Sequence, residues 1–388
     1  MDTFASRGAY RLGPLVALAA AALALTFAPA PARADGPPEG GGEGGGRVRF
    51  VAIGHIVLGT DTPKRWQPKD EGRHLFDALA PVLRSADIAL GNVAGVFAEG
   101  GEEKRHADDA TSFSFRMRPA LVDRLVEAGL DVVQVANNHA LDFGDAAFDE
   151  SLGHLRAAGL DVIGLVGAVH RETVHGVRVA IVGFTQPYRD DFASHLDVER
   201  AGDVVAEVAK TADVVIACFH GGGEGPEALH TPDGKEYLAT SKEYRGTVVQ
   251  LARTLVDRGA SLVVGFGAHH VRAMEWYRGR LIAYALGNGV TYGPFNLRHP
   301  NRLSAALDVT FGADGHIEDA RIHPYMMRYP GYPVPDMRGW TWAHVRKLSR
   351  EDFPASGTLV LDDGRLAAPT AAPAAGAASQ VAGPQRAP

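Results

Sequence analysis

The sequence predicts an α/β protein, and two observations support that prediction. Short apolar runs alternate with amphipathic stretches over residues 47–330, a pattern typical of stacked β–α units. His or Asn residues directly follow the apolar runs at six places where a predicted strand ends. Because ligands bind beyond the carboxyl ends of strands in open α/β sheets, the second pattern favours one shared site. Capping of helices and closing of turns is the alternative role for these residues.

Periodicity and helix-ending residues predict the individual elements. Strands are expected at Val48–Leu58, Asp87–Leu90, Asp131–Val135, Val162–Leu165, Arg178–Phe184, Asp213–Phe219, Ser261–Gly265 and Leu281–Leu286. Helices are expected at Leu75–Arg84, Ala120–Ala128, Ala146–Ala157 and Tyr244–Arg258. Gly129 and Gly259 lie where a left-handed glycine ends a helix. The segment Arg302–Ile322 predicts a β-hairpin that turns at residues 313–315.

Both ends of the chain differ in composition from the middle. Residues 1–34 predict an export signal, because Arg7 and Arg11 precede a short apolar run and a small-residue cleavage site before Asp35. An uncleaved anchor is the alternative, although the run is shorter than the roughly 20 residues of a membrane span. A Gly-rich linker at 35–46, a main domain at 47–330, a strap at 331–365 and a disordered Ala/Pro tail at 366–388 complete the prediction. The protein is therefore expected in the periplasm or outside the cell.

Charge and cysteine content narrow the classes of function. The formal net charge is −7, which argues against a nucleic-acid binder but permits an anionic ligand in a local cationic pocket. Cys218 is the only cysteine, so an internal disulfide is excluded. It lies in an apolar run and is interpreted as a buried small residue rather than a nucleophile.

Three segments occur in an order that resembles the poly-γ-glutamate capsule synthesis (CapA-like) family. Residues 135–144 (VANNHALDFG) resemble its ANNHxxDxG motif, and His220–Gly222 resembles its HWG motif. Residues 265–290 resemble its stretch with a Pro–His pair, a Glu and LGN. The resemblance implies a metallophosphatase-like α/β sandwich of mixed sheets with flanking helices. Relatives of that fold hold two metal ions between strand ends with Asp, Asn and His.

The resemblance also implies roles for individual residues. Asn138, His220 and His269 correspond to metal ligands, and His55 and Asn92 are further candidates at strand ends. His139 corresponds to a general acid or an oxyanion-stabilising donor, which Asp142 orients. The implied cofactor is a divalent ion such as Mn, Zn or Fe.

Two departures from the family pattern affect the metal prediction. His55 follows Gly54 where the family has Asp, and Ala94 stands where it has Glu. Two divalent ions without carboxylate ligands would repel each other strongly. A site that has lost its metal, a single transition ion on imidazoles, and a working metal pair remain open.

Other polar residues are candidates for substrate binding: Arg116, Arg118, Asn137, Glu275 and Asn288. The two arginines precede a predicted helix and suit bidentate contact with a carboxylate or phosphate, with a solvated pair as the alternative. Of the neighbours His269 and His270, only one is expected to face the site, because adjacent side chains of an extended backbone point apart.

The expected function is assistance in synthesis, export or retention of an anionic extracellular polymer such as poly-γ-glutamate. Membrane synthase or export components are the partners that this function implies. A metal-dependent hydrolase of the envelope is the alternative, and a scaffold without a site is the third interpretation.

Overall fold

The structure is a computed structural model that describes residues 46–62, 65–104 and 113–369. The predicted export signal lies outside the described residues, as does the predicted linker apart from Gly46. The part of the predicted tail beyond residue 369 also lies outside them. Within the described ranges, no helix combines the length and apolar character that a membrane span requires.

The described residues form short strands and helices in alternation. The strands are β1 Val48–Val57, β2 Ile88–Val93, β3 Val96–Phe97, β4 Arg116–Met117, β5 Val132–Gln134, β6 Asp161–Ile163, β7 Val169–Val174, β8 Val177–Phe184, β9 Val214–His220, β10 Glu236–Tyr237, β11 Tyr244–Gly246, β12 Leu262–Phe266, β13 Met274–Tyr277, β14 Arg280–Ala283, β15 Asn288–Thr291, β16 Leu303–Phe311, β17 Ile317–Arg328, β18 Tyr332–Pro335, β19 Leu359–Val360 and β20 Leu366–Ala367. The α-helices are α1 Ala80–Arg84, α2 Val122–Ala128, α3 Gly144–Ala157, α4 Val198–Ala209, α5 Val248–Asp257 and α6 Trp340–Asp352. Short 3-10 helices cover Lys69–Gly72, Pro119–Leu121 and Pro226–Ala228.

Two mixed sheets contain most of the strands. The first has the order β18-β17-β16-β1-β2-β5-β6, and β15 pairs with the end of β1. Strand β1 runs parallel to β2 and β15 but antiparallel to β16. The second sheet has the order β13-β14-β12-β9-β8-β7, in which β8, β9, β12 and β14 are parallel. The carboxyl ends of parallel β1, β2 and β5 in one sheet and of β9 and β12 in the other carry, at or shortly after them, the predicted site residues His55, Asn92, Asn137–His139, His220 and His269.

Alternate strand residues face two different layers, as the period of a β-strand requires. In β1, Phe50 and Ala52 pack in the core that the two sheets share, whereas Val51 packs with α1, α2 and α3. In β9, Cys218 packs in the shared core, and Ala217 packs with α4 and α5. The predicted sandwich of mixed sheets with flanking helices is thus confirmed. Cys218 is buried as predicted, and burial raises the pKa of its thiol.

Several predicted elements differ from those observed. The helix predicted at Leu75–Arg84 is regular only over Ala80–Arg84. The helix predicted from Tyr244 begins at Val248, because Tyr244–Gly246 pairs instead with β10. Gly129 ends α2 in the left-handed conformation with φ of 95°, as predicted. Helix α4 was not predicted, although its amphipathic pattern is clear in retrospect.

The C-terminal region has more regular structure than the predicted strap and tail. Strand β18 extends the first sheet beyond the predicted domain end at 330, because it pairs with β17. Helix α6 occupies the middle of the predicted strap and contributes Val345 to the shared core. Leu366–Ala367, at the start of the predicted tail, is a short strand that pairs with Leu359–Val360.

Candidate functional site

Three histidines from separate strand ends meet at one place between the two sheets. The ring of His55 on β1 lies 4.4 Å from that of His269 and 5.4 Å from that of His220, measured between centroids. His269 Nδ1 donates a hydrogen bond of 3.0 Å to Oδ1 of Asn288 on β15. The structure therefore brings these predicted site residues together.

A cleft of about 760 Å³ opens above this cluster. Among the described residues, its polar lining includes amide, ammonium, imidazole, carboxylate and hydroxyl groups: Lys104, Asn138, His139, Glu224, Glu227, Thr240, Ser241, Glu243, His269, Asn288, Asn296 and Asn301. Its aromatic lining includes Phe113, Phe115 and Phe295. Phe115 stacks on Phe295 with centroids 5.1 Å apart and planes 15° apart. This volume and mixture are typical of a ligand pocket.

His139 is fixed in the cleft wall by Asp142. Its Nδ1 donates to Asp142 Oδ2 at 2.9 Å, and the same oxygen accepts from the backbone N–H of Phe115 at 2.9 Å. Asn137 closes the turn, since its Oδ1 accepts from the His139 N–H at 3.0 Å and its Nδ2 donates to the Val93 carbonyl at 2.6 Å. The side chain of Asn137 thus bonds to its own loop and to the end of β2, and it is not part of the cleft lining. Asn138 and His139 line the cleft.

Both ring nitrogens of His55 have partners in the protein. Nε2 accepts from the backbone N–H of Gly267 at 3.2 Å, and the Asn92 side-chain amide lies 2.6 Å from Nδ1. Burial lowers the pKa of His55 well below its ordinary value, and His269, His139 and Arg245 lower it further. The neutral ring therefore carries its proton on Nδ1. Asn92 Oδ1, otherwise buried without a partner, is then the acceptor once the amide is rotated by half a turn.

His220 faces an arginine that the sequence analysis did not single out. Arg245 Nη2 lies 3.4 Å from His220 Nδ1 and 3.0 Å from Glu224 Oε1. Because a guanidinium group only donates, His220 Nδ1 is the acceptor of this contact. Burial lowers the pKa of His220 well below its ordinary value, and Arg245 is the next cause. The pKa of His195, which is also buried near Arg245, falls to about 4.

These contacts do not fit the metal centre that the family resemblance implies. A metal ion binds the lone pair of a neutral imidazole, but His55 uses that lone pair on Gly267 and His220 uses it on Arg245. Within the described ranges, no group of three His, Cys, Asp or Glu side chains is arranged to hold a metal ion. The lone pair of His269 stays on Nε2, because Nδ1 donates to Asn288, and this nitrogen lies 3.9 Å from Glu224 Oε2. The donor set thus supports no step through a metal pair.

Besides Asn137, three more predicted substrate-binding residues lie outside the cleft lining. Arg116 makes a bidentate contact with Asp61 and lies over the Phe143 ring, 4.5 Å from its centroid. Arg118 is partly exposed and is not part of the lining. Glu275 is fully buried on β13, where it accepts hydrogen bonds from Arg253. Their role in substrate binding therefore stays a prediction, which the lining of this cleft does not support.

The two adjacent histidines point apart as predicted, but the backbone is not extended. His269 has φ of 59°, in the left-handed region, and its side chain lines the cleft. His270 is buried with Nε2 3.2 Å from the Ala228 carbonyl oxygen. Burial, followed by Arg272, lowers the pKa of His270 to about 3. His269 is therefore the site residue of the pair.

Four residues that shape the site were not predicted from the sequence: Tyr188, Glu243, Arg245 and Phe295. Tyr188 donates to Glu243 at 2.5 Å and accepts from Arg245 at 2.8 Å. None of the four lies in a segment that resembles the family motifs, although Phe295 follows the segment 265–290 by five residues. One sign in the sequence pointed to Arg245: a glycine, Gly246, follows it inside the predicted helix and favours a break there. In the structure Gly246 has φ of 96° and the helix begins after it.

The sequence of this chain is similar to those of known bacterial proteins. The family model described as "Bacterial capsule synthesis protein PGA_cap" matches residues 49–292. The PGA biosynthesis protein CapA of Bacillus subtilis (strain 168) is 27% identical over 253 residues, which cover 61% of this chain and 62% of that protein. A probable polyglutamine synthesis accessory protein of Mycobacterium tuberculosis is 28% identical over 279 residues, covering 64% of this chain and 68% of that protein.

Solved structures align with this chain at lower sequence identity. The 5'-nucleotidase precursor from Thermus thermophilus aligns with 17% identity and a TM-score of 0.42, covering 80% of this chain and 59% of that chain. The match to the Bacillus subtilis protein spans less than two thirds of that protein's length.

Proposed function

Since this chain belongs to the bacterial capsule synthesis protein family PGA_cap, we propose that it is an accessory protein in making a glutamate polymer. In this proposal it assists synthesis, export or retention of a polymer of the poly-γ-glutamate type. The names of its relatives, which refer to PGA biosynthesis and polyglutamine synthesis, support the class of polymer. Membrane synthase or export components would be its partners.

The lining of the cleft is the observation that carries the proposal. Each repeat of poly-γ-glutamate offers one carboxylate and one amide N–H. Lys104 and the amide groups of the asparagines can donate to carboxylates, and Glu224, Glu227 and Glu243 can accept from amide N–H groups. The stacked Phe115 and Phe295 give the methylene groups of the polymer an apolar surface. The cleft thus presents a complementary group for each part of the repeat.

Binding of defined oligomers to the full chain tests this proposal. A labelled γ-linked glutamate oligomer is titrated by fluorescence anisotropy, with an α-linked oligomer of equal length and charge as the competitor. We expect Phe295→Ala and Lys104→Ala to weaken binding of the γ-linked oligomer by about tenfold each. Lys347→Ala is the matched control, since this exposed lysine lies on α6, away from the cleft. Equal affinity for both linkages, or equal effects of all three variants, would contradict the proposal.

A hydrolase is the second candidate, and the fixed His139–Asp142 pair is the observation that favours it. An imidazole held by a carboxylate is suited to general acid–base catalysis of amide or ester cleavage. Incubation of the full chain with the γ-linked oligomer, followed by mass spectrometry, tests for shortened products. Products that disappear in His139→Ala would establish cleavage, and an intact oligomer would leave binding as the function.

Export is part of the proposed function. It is supported by the charged start, apolar run and small-residue site within residues 1–34. Fractionation of cells that express the full chain, with mass analysis of the product, tests it. A chain beginning at Asp35 outside the cytoplasm is expected, and an intact cytoplasmic chain would contradict this part of the proposal.

A further inference from the structure

A buried cation lies directly beneath the cleft. The side chain of Arg245 is fully buried between the end of β9 and the loop that carries Glu243. Its Nε donates to the carbonyl of Gly222 at 3.1 Å, and its Nη1 donates to the Tyr188 hydroxyl at 2.8 Å. A charge at such depth requires partners that compensate for the loss of water.

The partners of Arg245 are the kinds of group that surround a bound cation. Nη2 contacts His220 Nδ1 at 3.4 Å and Glu224 Oε1 at 3.0 Å, and Nη1 lies 3.6 Å from Glu243 Oε1. One imidazole, two carboxylates and a carbonyl thus converge on one positive group. His220 is also the residue that the family motif assigns to a metal ion.

We propose that the guanidinium group of Arg245 takes the place of a divalent cation at this strand-end site and holds His220 and Glu224 without a metal. We call it the fixed cation of the site. It is a positioning residue, because full burial keeps it from contacting a ligand in the cleft. The proposal does not depend on which ligand the cleft binds.

The fixed cation explains how His220 and Glu224 are held in place although His55 and Ala94 stand where the family has Asp and Glu. Glu224 uses Oε1 on Arg245, while its Oε2 lies 3.9 Å from Nε2 of His269 at the cleft. Arg245 thereby links the buried His220 to the exposed part of the site. A divalent ion in the same space would meet a positive charge instead of an open ligand.

A simple buried ion pair is the competing explanation, and Arg272 supplies the comparison. Arg272 is 1% exposed and makes a bidentate contact with Glu236 at 2.8 and 3.1 Å. Its other contacts are the carbonyls of Gly223 and Ala228. Removing Arg272 would free a carboxylate but no imidazole. Removing Arg245 would free His220 Nδ1 and Glu224 Oε1 together and would take the nearby positive charge away from Glu243, which keeps its hydrogen bond from Tyr188.

Zinc binding by the full chain and its variants tests the proposal. Wild type, Arg245→Lys, Arg245→Ala and Arg272→Ala are stripped with a chelator, dialysed against Zn²⁺ and assayed by elemental analysis and thermal denaturation. We expect no retained zinc and an unchanged Tm in wild type, Arg245→Lys and Arg272→Ala. Arg245→Ala should bind one zinc ion per chain and show a zinc-dependent rise in Tm of about 4 °C or more.

Two results would overturn the fixed cation. One is wild-type protein that retains zinc with Arg245 in place, and the other is folded Arg245→Ala that gains no more zinc than Arg272→Ala. If Arg245→Ala does not fold, wild type and Arg245→Lys decide the question, because retained zinc in either contradicts the proposal and its absence in both supports it.

Discussion

Asp142 holds the imidazole of His139 through a 2.9 Å hydrogen bond from Nδ1 to Oδ2. This contact connects a residue of the cleft wall to a buried carboxylate. The same carboxylate oxygen accepts from the Phe115 N–H, so one side chain orients both a polar and an aromatic part of the cleft wall. Phe115 in turn lies 4.6 Å from the His139 ring, measured between centroids. A single substitution at this position therefore affects the wall in two places.

We expect Asp142→Ala to lower the free energy of unfolding by about 1–3 kcal/mol, because it leaves the buried Phe115 N–H without its acceptor. Urea denaturation followed by circular dichroism measures the change. Asp190→Ala is the control, since Asp190 is exposed and its loss should cost within about 0.5 kcal/mol. Equal stability of the two variants would show that the Asp142 contacts contribute little.

Gly267→Ala should be strongly destabilising. Gly267 has φ of 129°, and a methyl group there would lie 2.3 Å from the carbonyl oxygen of Gly221. The N–H that Gly267 donates to His55 would shift as the backbone moves. We expect a loss of more than about 2 kcal/mol in urea denaturation.

Gly153→Ala is the matched control for that prediction. Gly153 lies inside α3, and an added methyl group meets no atom within 4 Å. Alanine is the better helix former, so this variant should gain about 0.5–1 kcal/mol. A loss of stability at Gly153, or none at Gly267, would contradict the assignment of strain to position 267.

Lowering the pH should reduce the free energy of unfolding, because the carboxyl group of Asp308 on β16 becomes protonated. Burial alone would raise the pKa of this carboxyl, but hydrogen bonds from His323 and Arg49 outweigh it and lower the pKa to about 2. A lowered pKa adds stability above the unfolded value of about 3.9, and that stability is lost as the pH falls towards 2. We expect the stability difference between wild type and Asp308→Asn to shrink by about 1 kcal/mol between pH 5.5 and pH 3.

Denaturation of both proteins at the two pH values measures that change. Asp319→Asn is the comparison, because the Asp319 side chain is 40% exposed and pairs with Arg321 at the surface. Parallel pH profiles of wild type and Asp308→Asn would rule out the proposed contribution of Asp308.

Glu275→Ala should reduce stability without changing ligand binding in the cleft. Glu275 accepts from Arg253 Nη2 at 2.7 Å, from the Tyr284 hydroxyl at 2.8 Å and from the Ser356 hydroxyl at 2.7 Å. Removing one partner of a buried pair costs about 3–5 kcal/mol, and the partial exposure of Arg253 favours the lower end. Glu227→Ala, at the exposed rim of the cleft, should weaken ligand binding and leave the stability of the fold unchanged. Lost ligand affinity in Glu275→Ala at full stability would restore its predicted role.

The strands and the place of the site were predictable because both depend on local patterns. An apolar run of strand length followed by His or Asn identifies β1, β9 and β12 and the residues beyond them. His55, His220 and His269 were found in this way, and the structure brings their rings together. Local patterns could not predict which nitrogen of each ring faces which neighbour.

The contacts that decide the chemistry are nonlocal, and for that reason they were missed. Arg245 lies 25 residues from His220 in sequence, and nothing in the intervening loop indicates that the two side chains meet. Glu275 looked available as a site carboxylate, but the antiparallel pairing of β13 with β14 places it beside Tyr284 and Arg253. Such outcomes depend on strand register, which composition and spacing do not specify.

The segment that the family model matches is shorter than the segment that folds together, because β1 pairs with β16, which lies beyond the end of the match. The match ends at residue 292, but Val48–Ile53 of β1 bonds along its length to Ala306–Phe311. A chain cut at 292 would expose this apolar strand as an unpaired edge, which recruits other chains into aggregates. We expect a chain that ends at residue 369 to remain monodisperse in light scattering and one that ends at 292 to precipitate. We therefore expect the segment that the family model matches to need the strands after residue 292 in order to stay in solution.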